Sequence, residues 1–208
     1  MSSHPLRADP SSFLERARQG DEQALGALLQ AYRPYLSLLA RLKTDRALQS
    51  KLSDSDLVQE TSLAAHRDFA RFRGATEPEL TAWLREIMAH VAANAVRDLN
   101  RQRRDVHLER QLSDHLNHSS RTLERALVDP KPSPSQSAVR RERAVLLANA
   151  LHRLPTDYRE VLVMRELQEK PLAEVAELMG RTVNATQKLW ARAVVQLRRL
   201  MQSQQESS

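Results

Sequence analysis

Between Thr182 and Arg192 the chain gathers side chains suited to gripping and reading a polyanion: Thr182, Asn184, Gln187, Lys188 and Arg192. Asparagine and glutamine amides pair bidentately with adenine, and lysine and arginine reach guanine or phosphate. No acidic residue occurs between Arg181 and Ser203, so nothing along this stretch repels phosphate. A second set is Arg73 together with His90, Asn94, Arg97, Arg101 and Arg104. Its last five members share one helical face that starts polar and becomes densely cationic. Asp98 and Asp105 lie off that face, so it lacks the interspersed acids of a solvated, salt-bridged helix, and nucleic-acid contact is expected there. A third set, Asp54, Asp56, Gln59 and Glu60, collects carboxylates and an amide at a helix start. Taken alone it is accounted for by capping, with Ser53 and Asp56 as the capping pair. No nucleophile–base pair, phosphate loop or metal-ligand spacing stands out. No catalytic residue, metal or cofactor is therefore expected, and His107, His115 and His118 have no cysteine or ordered acids to complete a metal site.

The elements that must position these groups are read from periodicity. Leu172, Val175, Ala176 and Met179 line one face of a short helix, Gly180 supplies a left-handed stop, and Thr182 caps the next helix. On that helix Ala185, Leu189, Ala193, Leu197 and Leu200 form an apolar row with Trp190 beside it, expected to be the largest contributor to its domain's core. The pattern is a helix-turn-helix with a long second helix. Further upstream, helices are expected around Phe13–Ala17, from Asp21 as N-cap, and from Ser53. Another begins at Pro78, with Leu80, Trp83, Leu84, Ile87 and Val91 as its buried stripe. Pro34 should kink or restart the helix that Asp21 begins. Two more helices, around Leu146–Leu154 and after Pro155, precede the helix-turn-helix.

The chain has 208 residues, a net charge of +6, no cysteine and only 4 glycines. Alternating β-branched runs are almost absent, so the expected class is all-α, with no disulfide scaffold. The basic balance suits a polyanionic partner. No apolar run approaches membrane-spanning length and Met1–Ser12 lacks a signal-peptide core, so no membrane insertion and a cytoplasmic location are expected. Pro130, Pro132 and Pro134 alternate with serine and lysine, the composition of a tether. The expected organisation is a tail over 1–10, a helical domain over 11–110, a flexible linker over 111–138 and a helix-turn-helix domain over 139–208. The two domains are expected to be independent of one another.

Two basic helical modules on a proline-rich tether resemble the extracytoplasmic-function group of bacterial RNA polymerase sigma factors. In the first module the resemblance rests on Gly20-Asp21 with Ala24, Asp56-Leu57-Val58-Gln59-Glu60-Thr61, Phe72-Arg73-Gly74, and Trp83-Leu84-Arg85 with Ile87. In the second it rests on Leu154-Pro155 with Tyr158-Arg159, Glu174-Val175-Ala176, Gly180 and Arg192-Ala193. The Leu189–Ala193 wording is similar to planctomycete-type members. The resemblance implies that Asp54, Asp56, Gln59 and Glu60 dock on core RNA polymerase. It implies that Arg73, His90, Asn94, Arg97, Arg101 and Arg104 open and read the minus-ten element. Thr182, Asn184, Gln187, Lys188 and Arg192 then read the minus-thirty-five element as duplex. Promoter DNA and core polymerase are the implied partners, with an anti-sigma factor as a further one. His90, Asn94 and Thr186 depart from the usual Asn, Asp and Val. The competing readings are a stand-alone helix-turn-helix regulator or response-regulator output domain, which leaves the acidic helix unexplained, and an adaptor, which leaves the donor-rich helix unexplained.

Overall fold

Capping fixes where the first helices begin. The Asp21 carboxylate accepts the Ala24 N–H at 2.9 Å and meets Arg16 at 2.6 Å. Bonding to the Ala24 backbone, and then to Arg16, holds this carboxyl below its usual range. Gly20, at φ 93°, makes the turn that needs a residue without a β-carbon. On either side lie α1 (Pro10–Arg18) and α2 (Glu22–Arg41). The structure is a computed structural model that describes residues 10–42, 53–99, 114, 116–117 and 136–205. α2 runs through Pro34 without a restart, so the restart expected as one of two outcomes does not occur. The carbonyl it cannot bond belongs to Gln30, an exposed residue, whereas Tyr32, Tyr35, Leu36, Leu38 and Leu39 are all buried. Tertiary burial on both sides of the proline outweighs one lost hydrogen bond.

Ser53 starts α3 (Asp54–Asp68) by accepting the Asp56 N–H at 3.1 Å. The Asp56 carboxylate returns to the Ser53 hydroxyl, at 2.7 Å, and so closes the expected capping pair through the hydroxyl. A short 3-10 turn (Phe69–Arg71) leads to α4 (Glu77–Leu99). The buried face of α4 differs from the expected stripe. Leu80 and Leu84 are buried as expected, with Thr81, Arg85, Met88, Ala89, Ala92 and Ala93, while Trp83, Ile87 and Val91 are only half-buried. The cause is that α4 packs against both α3 and α5. Close helix approach favours alanines, which a search for large apolar side chains overlooks.

The second half holds α5 (Gln136–Arg153), α6 (Thr156–Leu162), a π turn (Val163–Leu167), α7 (Leu172–Leu178) and α8 (Val183–Gln205). All the regular elements among the described residues are helical, as an all-α reading requires. Here α5 begins at Gln136, three residues before the expected domain start at 139. The prolines of the tether lie outside the described residues, but Leu116 and Asn117, within the expected linker, do not hang free. Leu116 is buried, and the Asn117 side-chain oxygen accepts from Arg85 Nε at 2.9 Å.

The two halves, expected to be independent, are in contact in the structure. In the structure α5 packs on α2 and on α4, and one apolar cluster runs through both halves, from Leu28 and Leu39 to Leu147 and Leu151. At its rim Arg41 meets Glu160 at 3.3 Å, and Gln168 donates to the Arg41 carbonyl at 3.4 Å. The Arg41–Glu160 pair is about a third exposed on each side, so it contributes at most about 1 kcal/mol. Apolar contact therefore holds the seam. Arg41→Ala should leave the radius of gyration in small-angle scattering unchanged and lower the unfolding free energy by no more than about 1 kcal/mol. Expansion on that single change would mean that the ion pair, and not the apolar packing, closes the halves.

Candidate nucleic-acid interface

The helix-turn-helix is built by backbone hydrogen bonds around a left-handed residue, a conformation that glycine adopts most easily. The Arg181 N–H reaches the Ala176 carbonyl at 2.9 Å and the Gly180 N–H reaches Glu177 at 3.0 Å, with Gly180 at φ 61°. This pair of bonds stops α7 and turns the chain through a left-handed residue. Thr182 then caps α8, its hydroxyl accepting the Ala185 N–H at 3.2 Å. Beyond that cap Asn184, Gln187, Lys188 and Arg192 are all exposed, as is Thr182, so the five candidate residues share the outer surface of the motif's second helix.

The inner surface is rotated from the expected row. Ala185 is exposed, and Thr186 is fully buried in its place. Thr186 satisfies its hydroxyl by donating to the Thr182 carbonyl at 3.0 Å, which lets a threonine stand where an apolar side chain would serve. Ala193 is buried, while Leu189, Leu197 and Leu200 are half-buried. Trp190 is also half-buried and is not the dominant core residue; its indole N–H donates to Glu166 at 2.8 Å. The flanking acids are similarly occupied: Asp157 pairs with Arg181 and Glu174 with Lys170. Asp157, Glu166 and Glu174 are thus tied to cations or donors of the same domain, while Glu177, beside the turn, is exposed.

In the first domain the loop carrying Arg73 is set by aromatic packing. Phe69, Phe72 and Trp83 pack together with ring centroids 5.0–6.0 Å apart. A β-carbon on Gly74 would come within 2.7 Å of the Phe72 ring and 2.8 Å of the Glu79 side chain, so this position needs glycine for space. Glu79 accepts the Ala75 N–H at 2.9 Å, the Thr76 N–H at 3.0 Å and the Thr76 hydroxyl at 2.8 Å. The Ala75 backbone bond first, then the Thr76 hydroxyl, hold the Glu79 carboxyl below its usual range. Arg73 is left exposed. His90 is exposed and Asn94 half-buried one turn apart on α4, and Arg97 continues their register on the backbone of that helix. Arg101 and Arg104 lie outside the described residues.

On α3, Asp56, Gln59 and Glu60 are exposed and Asp54 is half-buried. Leu63, which the sequence reading did not single out, joins them at 57% exposure. Its spacing from Asp56 and Glu60 places it on the same face, and its apolar type was the available signal, since the buried row runs through Leu57, Val58, Thr61 and Ala65.

A capped, donor-rich helix on one all-α domain and an exposed arginine loop on another define a two-domain DNA-binding protein of the transcription class. The sigma-70 region 2 family model matches residues 28–102 and the sigma-70 region 4 model matches residues 144–197, in that order. The ECF RNA polymerase sigma factor SigD of Mycobacterium tuberculosis is 29% identical over 188 residues, 90% of this chain and 81% of that protein. The ECF sigma-E factor of Haemophilus influenzae is 27% identical, over 81% of this chain and 82% of its own length. The sigma factor NccH of Alcaligenes xylosoxydans is 28% identical, over 95% and 98%. A solved structure of CnrH in complex with the cytosolic domain of CnrY covers 94% of this chain and 99% of its own, at 23% identity and a TM-score of 0.32. The chain belongs to the sigma-70 family, in its extracytoplasmic-function group.

Because the folded-state value of Glu79 is depressed, its contribution to the Arg73 loop is present above the ordinary carboxylate range and is lost as pH falls through the depressed value. Protection of the Ala75 and Thr76 amides, relative to their intrinsic exchange rates, should hold at neutral pH and fall only on strong acidification. Glu79→Ala should make both amides exchange rapidly at neutral pH. Unchanged protection in that variant would show that something other than the carboxylate holds the loop.

Proposed function

We propose that this sigma factor engages core RNA polymerase through the α3 face of Asp56, Gln59, Glu60 and Leu63, with Asp54 at its edge, and divides promoter reading between its two domains. The observation that carries the division is the outward face of α8, where Thr182, Asn184, Gln187, Lys188 and Arg192 are all exposed. These residues read the minus-thirty-five element as duplex, with the amides at the N-terminal end reaching base edges and Arg192 reaching phosphate. Arg73, His90, Asn94, Arg97, Arg101 and Arg104 act on the minus-ten element as it opens. Phosphodiester chemistry stays with the polymerase, and the chain supplies positioning alone, with neither metal nor cofactor of its own. It works in the cytoplasm, where the polymerase is; no described helix is long and apolar enough to cross a membrane. An anti-sigma factor would silence it by covering either face.

The seam between the halves bears on this reading. Elements about 25 base pairs apart, at about 3.4 Å per pair, are separated by roughly 85 Å. A compact chain of this length has a radius of gyration near 17 Å and is about 45 Å across. Reading both elements at once therefore requires α5 to leave α2 and α4.

In vitro transcription with core polymerase tests the assignment. Gln59→Ala combined with Glu60→Lys should weaken core binding at least tenfold, about 1.4 kcal/mol, without lowering the melting temperature. Equal competition for core by the double variant and the wild type would remove α3 as the docking face. Gln187→Ala or Lys188→Ala should cost about 1–3 kcal/mol at particular upstream base pairs and spare permanganate-detected opening on a downstream fragment. A uniform loss across all upstream sequences would make these residues phosphate contacts only.

A further inference from the structure

Four large apolar side chains stand exposed among the described residues: Leu63, Leu178, Val183 and Val195. Leu63 belongs to the α3 face, and Val195 lies far along α8. The other two flank the turn of the helix-turn-helix. Leu178 ends α7 at 59% exposure, and Val183 opens α8 at 48%. Between them run only Met179, Gly180, Arg181 and Thr182. A β-branched residue gains little from the first turn of a helix, and nothing in the cap requires one, since Thr182 supplies the capping oxygen.

What surrounds Val183 is specific. Asn184 follows it, and Gln187 comes one turn later on the same side; both are exposed amides. The Thr182 hydroxyl accepts the Ala185 N–H, and the Thr182 γ-methyl stands beside Val183 as a second apolar group at the tip. The tip of the helix thus presents two apolar groups beside two amides, with Lys188 behind them and no carboxylate. In the major groove an A·T pair offers two features together: the adenine N6/N7 edge, which an amide pairs bidentately, and the thymine C5-methyl, which takes apolar contact. A carboxylate, the group that reads the cytosine amine, is missing from this tip.

We infer that Val183 is a specificity-determining residue that packs on a thymine methyl, so that with Asn184 and Gln187 the tip of α8 selects A·T pairs in the upstream element. This rests on the reading of α8 as the duplex-binding helix. The contact is sequence-reading and independent of charge, which distinguishes it from the roles of Lys188 and Arg192.

The test uses holoenzyme made from the full chain and core polymerase. Promoter duplexes randomised across the upstream element are selected for binding, and each selected thymine is then replaced by uracil, which lacks only the methyl. One or two uracil positions should weaken the wild type roughly fourfold, the worth of one buried methyl. Val183→Ala should bind the thymine duplex about as weakly as the wild type binds the uracil duplex, and should lose nothing further with uracil. Val183 is exposed, so this variant keeps the fold, and an unchanged melting temperature checks that. Selected sequences without thymine, uracil costing nothing, or uracil costing both proteins equally would each overturn the methyl contact while leaving the promoter assignment standing. Failure to select any upstream sequence would overturn the assignment itself and the inference with it.

Discussion

Burial of α2 by helices from both halves of the chain is the constraint on which the arrangement depends. Its residues from Ala24 to Ala40 are buried at nearly every position that does not face solvent. The helices α1 and α3 supply one part of that cover, and α5, which opens the second half, supplies another. A proline inside α2 is tolerated because the helix is held by what packs around it. The same packing brings Arg41 to Glu160 and Gln168, so the rim contacts between the halves follow from α2 and do not create it.

Polar groups inside this apolar frame act as registers. Tyr32 donates to Glu77 and Tyr35 accepts from Arg85, fixing how α2 and α4 slide past each other. Arg85 is 9% exposed, and its guanidinium also holds Asn117, so one buried cation joins α2, α4 and the start of the interdomain segment. Leaving such a group unpaired costs several kcal/mol, roughly 3–5, so its geometry is enforced strongly even where its net contribution to stability is small. Thr61 and Thr186 solve the same problem locally, each donating to the carbonyl one turn earlier, at 2.6 Å and 3.0 Å.

In the second domain three carboxylates are engaged by internal partners. Asp157, Glu166 and Glu174 are each engaged by Arg181, Trp190 and Lys170. The outer surface of α8 carries amides and cations beside exposed Val183 and Val195, and no carboxylate.

The sequence by itself determined the helices and their ends, because capping, glycine stops and apolar periodicity are local physics. Asp21, Ser53, Thr182 and Gly180 act as their types and positions imply, and the exposure of Asn184, Gln187, Lys188 and Arg192 follows from the helical period of α8. Family membership was legible in the same way, from ordered short runs such as Asp56–Thr61. Only the tertiary structure decided which way the longer helices turn their faces and where the halves meet. The expected row failed at Ala185, where Thr186 is buried instead, while Trp83, Ile87 and Val91 pack on the core half-buried and Met88, Ala89, Ala92 and Ala93 fill the closest contacts. Continuity of α2 through Pro34, the seam against α5 and the seating of Leu116 and Asn117 all arise between residues distant along the chain. No local rule encodes such contacts; they depend on surfaces that exist only once the helices have packed.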